Sequence, residues 1–205
     1  MNKILRLLIF SDIFVLTGFG LISPIMAIFI KDNLVGGTIA AAGIASAITI
    51  FIRCALQLVF AYIAKPKHRY IMALGGTLLI TTVPFIYIFS HTIGMIYLAA
   101  VVHGFGAGLC NPAWFSLFAA NLDKKQRGWE WSIYSSSVGI GTAASAFAGS
   151  MLATKFGFTP IFAAVGILSL IGCIILLGLF KGDSKNHKSK IVGAKFKLHA
   201  HPNQK

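Results

Sequence analysis

An all-helical integral membrane bundle with six spanning helices and both termini on the cytoplasmic side is the fold class this sequence predicts. Three observations predict it: six long apolar runs joined by short connections, a charged fraction of only 11%, and Lys and Arg gathered at alternate ends of the runs. The 205 residues are 57% hydrophobic, with a mean hydropathy of +0.81. A soluble domain of this size carries about a quarter of its residues as Asp, Glu, Lys or Arg, so a soluble globular enzyme is excluded. The three cysteines, Cys54, Cys110 and Cys173, lie far apart inside apolar runs and read as small buried hydrophobes, not as a disulfide framework. A net charge of +13 would suggest nucleic acid in a soluble protein. Here no folded basic motif accompanies it, and no nucleic-acid partner is expected.

A spanning helix needs about 20 mainly apolar residues. The runs that meet this cover residues 7–30, 38–64, 70–89, 93–120, 131–154 and 159–180. They are continuous, whereas strands of an outer-membrane barrel alternate over about 10 residues. The first run follows Lys3 and Arg6, as a signal peptide would, but its length, Asp12 within it and the lack of an A-x-A pattern mark a retained helix. The second carries Arg53 and Gln57, one turn apart on one face. The third has no ionisable group between Tyr70 and Phe89 except its tyrosines. The fourth sets His103, Ala107, Cys110, Asn111 and Trp114 on one face, a polar stripe suited to a watery cavity. The fifth repeats small residues at Gly141, Ser145 and Gly149, the spacing that lets helices approach closely. The sixth is apolar throughout and ends at an abrupt change of composition: residues 181–205 hold one acid, Asp183, against seven lysines. That segment is expected to be a solvated, mostly disordered tail near anionic headgroups. The chain therefore divides into a bundle, 1–180, and a basic tail, 181–205.

Orientation follows from the basic residues. With a cytoplasmic N-terminus, the inner side holds Lys3, Arg6, Lys65, Lys67, Arg69, Lys124, Lys125, Arg127 and the tail lysines from Lys181 to Lys205. The outer side holds only Lys31 and Lys155. The expected location is the cytoplasmic membrane, with the lipid bilayer as one partner.

Ionisable groups within a bilayer are costly and mark function by default. Asp12 lies about 8 Å into its run and Arg53 about 16 Å into its own, at 1.5 Å per residue. A guanidinium reaches towards the level of that carboxylate, so the two are expected to share an aqueous cavity and interact directly or through water, with Gln57 between them. His103 has the side chain for proton transfer, and Asn111 and Trp114 are candidate solute contacts; a hydrogen-bonded structural role stays open for each. No G-x-S-x-G element, metal-spaced His/Cys cluster or phosphate-binding loop is present, so no enzyme, metal or cofactor is expected.

The stretch from Gly104 to Phe162 resembles the major facilitator superfamily, at helices four to six of its N-terminal half. The residues that carry this are Gly104, Gly106, Gly108 and Pro112, then Arg127 and Gly128, then Gly139, Gly141 and Gly149, then Phe156, Gly157 and Phe158. Asp12, Gly18, Gly20 and Pro24 look like the family's first helix. The resemblance implies helix packing and gating at Gly104, Gly106, Gly108, Arg127, Gly141, Ser145 and Gly149. It also implies a solute site lined by Asp12, Arg53, Gln57, His103, Asn111 and Trp114. Three departures stand out. The loop that usually carries Gly, Asp and Gly-Arg has Ala61, Lys65 and His68 in those places and keeps only Arg69. The helix-four Arg is Ala100, and a common Gln is His103. Ser145 and Ala146 stand where proton-coupled antiporters carry Gly-Pro, against an antiport reading.

Family members have twelve helices in two halves around a central cavity. The resemblance therefore implies a half-length transporter that moves a small solute by alternating access, with proton coupling left open, and that works as a homodimer or with a second six-helix chain. A fragment, a split gene and a dimerising subunit are all compatible with the length. The other reading is a non-transporting membrane scaffold or regulatory subunit derived from such a half.

Overall fold

The computed structural model describes residues 1–65 and 68–199, with side-chain surroundings to residue 179. Among the described residues it is all-helical: α1 (Lys3–Ile22), α2 (Met26–Asn33), α3 (Ile39–Ile63), α4 (Arg69–Ile88), α5 (Ile93–Asn121), α6 (Arg127–Phe156) and α7 (Thr159–His199). Boundaries follow local chemistry. The Thr38 hydroxyl accepts the Ala41 N–H at 3.0 Å and opens α3. Gly157, with φ +77°, takes the left-handed position that ends α6, and its N–H donates to the Ala153 carbonyl at 3.0 Å.

The first expected run is two helices, not one. Pro24 has no N–H for the ladder and blocks its continuation, so the chain turns after Ile22 and resumes at Met26. At the other end of the chain, α7 runs past the composition change at residue 181 as far as His199, where a largely disordered tail is the expectation from composition. Lys67 and Lys205 lie outside the described residues, as do the side chains of the other tail lysines. Among the described residues five helices are long and apolar enough to cross a membrane: α1, α3, α4, α5 and the part of α7 from Thr159 to Leu179. The Ser, Thr and Gly content of α6 keeps it out of that set, although it is 30 residues long.

The helices pack in the order α6, α1, α7, α4, α5, α3, with α2 against α3. Two apolar clusters fill the bundle, one at each end. The first gathers Ile22, Phe29, Val83, Ile96 and Phe162; the second gathers Leu5, Leu8, Trp114, Phe118 and Leu176. The connection before α3 meets the connection before α5, where the Val35 N–H donates to the His91 carbonyl at 3.1 Å. At the opposite end, the Glu130 carboxylate accepts the Asp123 N–H at 2.8 Å and lies 3.4 Å from the terminal amine.

The two helices at the ends of this order are barely covered. Of its 25 residues α3 buries only Ala41 and Ala45, and α6 buries only Glu130, Tyr134 and Gly149. Large apolar side chains stand out from both, including Tyr62 at 93% exposure and Ile140 at 72%. In lipid such exposure carries no penalty; in water it would be a contiguous adhesive surface.

Candidate solute cavity

Close helix approach sets the walls of the cavity. On α5, a Cβ at Gly104 would sit 2.8 Å from the Thr49 carbonyl oxygen, and one at Gly108 would sit 2.8 Å from Leu56 Cβ, both on α3. Gly106 faces the other way, where a Cβ would meet the Gly76 carbonyl oxygen of α4 at 2.9 Å. On α6, the small stripe lies against α1: Gly141 meets Thr17, Ser145 meets Gly20, and Gly149 meets the Leu21 carbonyl. Six of the seven expected packing positions are thus helix contacts. The seventh, Arg127, is the exposed first residue of α6, with no ion pair among the described residues.

Between α1, α3, α4, α5 and α6 lies a cavity of about 370 Å³. Asp12, Arg53, His103, Asn111 and Trp114 all line it. Gln57 does not. It is half-buried, and its backbone N–H lies 3.5 Å from the Cβ position at Gly108, on the side where α3 packs against α5. The expected direct contact between Asp12 and Arg53 is not made, since no ion pair joins them within 4.0 Å. The Asp12 carboxylate instead accepts the Tyr134 hydroxyl at 2.6 Å, from α6.

Tyr134 is the residue that reasoning from sequence missed. The signal was present: stepping the small stripe Gly141, Ser145, Gly149 back by one heptad lands on Tyr134, on the same face towards α1. Trp114 is buried in an aromatic cluster, stacked on Phe118 at 5.0 Å and 16° and set against Tyr134 at 5.0 Å. Its indole N–H has no hydrogen-bond partner among the described residues.

A second cavity, of about 340 Å³, lies along α1 and α2 towards the opposite end of the bundle. It is lined mainly by aliphatic side chains, with Ser46 and Thr49 of α3 among its few polar groups. The hydroxyls of both are engaged with carbonyls in their own helix. Phe19 and His103 are common to the two linings, and their rings meet at 4.8 Å and 32°. Cys54, expected to be buried, is exposed on α3, while Cys110 and Cys173 are buried. Among the described residues no group of three or more His, Cys, Asp or Glu is placed to hold a metal.

Comparison with known proteins places the fold and the family. The solved structure described as the in meso crystal structure of the POT family transporter PepTSo superposes with a TM-score of 0.76 at 16% identity. The match covers 88% of this chain and 38% of that one, so the chain spans under two-fifths of the solved transporter's length. At that identity the likeness is one of fold. No curated protein matches the sequence. The profile described as Major Facilitator Superfamily matches residues 8–202, nearly the whole chain. This is a multi-pass membrane protein, and it belongs to the major facilitator superfamily.

Proposed function

We propose that the chain is one six-helix bundle of a solute transporter that moves a small solute by rocking against a second bundle, with no catalytic chemistry of its own. The observation that carries this is the cavity of about 370 Å³ on which Asp12, Arg53, His103, Asn111, Trp114 and Tyr134 converge from four helices. Its size suits a small molecule, and its charged and amide groups are of little use to a structural core. The second bundle, either another copy of this chain or a different six-helix chain, covers the open faces of α3 and α6. A polar cavity facing lipid would be left unsatisfied. In this reading α6 is the sixth span, since its 30 residues reach about 45 Å at 1.5 Å per residue. Both termini lie on the cytoplasmic side of the cell membrane, as the placement of Lys and Arg favours.

The test uses single cysteines at Asn111 and Thr49, one in each cavity, in a chain lacking Cys54, Cys110 and Cys173. An impermeant thiol reagent should reach the two from opposite faces of a proteoliposome. Access at Asn111→Cys should also switch faces as the transporter cycles. Labelling of each site permanently from one face, whatever the conditions, would favour the scaffold reading. That reading has one observation of its own: Lys65, at the place of the family's loop Asp, is exposed and makes no ion pair among the described residues.

A further inference from the structure

The charges of the cavity do not neutralise each other. Asp12 is engaged by the Tyr134 hydroxyl at 2.6 Å. Arg53, half-buried on α3, lines the same space without a carboxylate within 4.0 Å and without a side-chain hydrogen bond among the described residues. Of the other acids, Asp32, Asp123 and Glu130 lie at or beyond helix ends, and Glu130 is held by the Asp123 N–H and the terminal amine. An unpaired guanidinium at this depth is costly, and a planar fork of donors suits a carboxylate better than any neutral group. The same lining is largely apolar elsewhere: it includes the Trp114 indole and the Phe115 ring, edge to face at 5.4 Å and 87°, together with Phe19 and Ile80.

We infer that the solute is an organic anion with an apolar body, its carboxylate paired with Arg53 and its body against the aromatic lining at Phe115 and Trp114. This rests on the transporter reading and deepens it by naming the solute class. Asn111 adds an amide donor on the same lining, which suits the second carboxylate oxygen. Asp12, hydrogen-bonded by Tyr134, makes no ion pair with Arg53 and so leaves the guanidinium free for the solute. A cationic solute could share the Asp12 carboxylate with the Tyr134 hydroxyl, which occupies one of its two oxygens, but would leave the guanidinium unmatched.

Three probes of one shape and different charge test this: 1-naphthoate, 1-naphthylmethanol and 1-naphthylmethylamine. Binding is measured by calorimetry to the full chain in lipid discs, with empty discs subtracted for partitioning into lipid. The naphthoate is expected to bind about tenfold tighter than the alcohol, the scale of a hydrogen-bonded charge. Arg53→Gln should erase that preference, and Arg53→Lys should keep part of it. Helicity and thermal stability of both variants establish that they fold. A preference for the amine, equal binding of all three, no binding, or a preference that survives Arg53→Gln would each overturn the proposal. A preference that survives Arg53→Gln would mean that another group on the lining, such as His103 or Asn111, anchors the anion. Equilibrium binding needs no cycling, so a chain that binds naphthoate through Arg53 yet never switches access would fail the transport reading and keep this one.

Discussion

α5 and α6 are the two longest helices confined to the bundle, and both are punctuated by small residues, yet the structure uses them differently. α5 is clasped on two sides: Gly104 and Gly108 take the backbone and side chains of α3, and Gly106 takes the backbone of α4. Its buried set runs the length of the helix, from Ile96 to Phe118. α6 is held on one side, through Gly141, Ser145 and Gly149 against α1, and the opposite face, with Gly139 and Ile140, is open. The same residue vocabulary therefore makes a central post in one helix and a flank open on one side in the other. A helix touched on two sides has nowhere to go when it is enlarged; a helix touched on one side can move outward.

This contrast orders the expected effects of substitution. Gly106→Leu should be the most damaging, because its added atoms meet the Gly76 carbonyl and the Leu79 and Ile80 side chains with no direction of relief. A loss of more than about 3 kcal/mol is expected, above the usual range for overpacking, read as loss of folded protein in mild detergent. Gly149→Leu should cost less, within about 1–3 kcal/mol, because α6 can back away from the Leu21 carbonyl. Equal losses at the two sites in thermal denaturation would break the comparison and show that α6 is clamped from outside as well.

Tyr134→Phe comes next. It removes the only hydroxyl that α6 sends to Asp12 among the described residues, and should lower stability by about 1.5 kcal/mol. In a flux assay it should impair transport together with Asp12→Asn, and the double variant should be no worse than the more damaging single one. Additive losses in such a cycle would uncouple the two side chains. The smallest effect is expected from Gly139→Ala, where an added Cβ has nothing within 4 Å. The change should be neutral or stabilising by up to about 1 kcal/mol, from helix propensity. A clear loss there would sharpen the picture differently, by showing that a second bundle covers this face.

Much of the fold was legible from one dimension. The apolar runs at 38–64, 93–120 and 159–180 begin within a residue of α3, α5 and α7, because a long apolar run bounded by Thr or a turn leaves a helix few other places to start. The convergence of Asp12, Arg53, His103, Asn111 and Trp114 was legible too, since groups that lipid cannot solvate must turn inward and share a cavity. The break between α1 and α2 was less visible: Pro24 interrupts the hydrogen-bond ladder without interrupting hydropathy. Gln57 shares the helical face of Arg53 by spacing, and the backbones of both lie against Gly108 of α5, yet only Arg53, with the longer side chain, lines the cavity.

By itself, then, the sequence determined the solvent of this protein, its all-helical class, its family and the set of polar residues that had to face inward. The solvent, the class and the polar set follow from composition and periodicity, and the family from the order and spacing of its motifs; all depend only on what each residue is and where it falls in the chain. Tertiary structure decided the pairings: that Tyr134 and not Arg53 takes Asp12, that Arg53 is left for something else, and that Phe19 and His103 stand between two cavities. Those depend on the rotation and offset of whole helices. These are set by small-residue contacts such as Gly106 on Gly76 and Gly149 on Leu21, where displacements well below one helical turn choose which side chains meet.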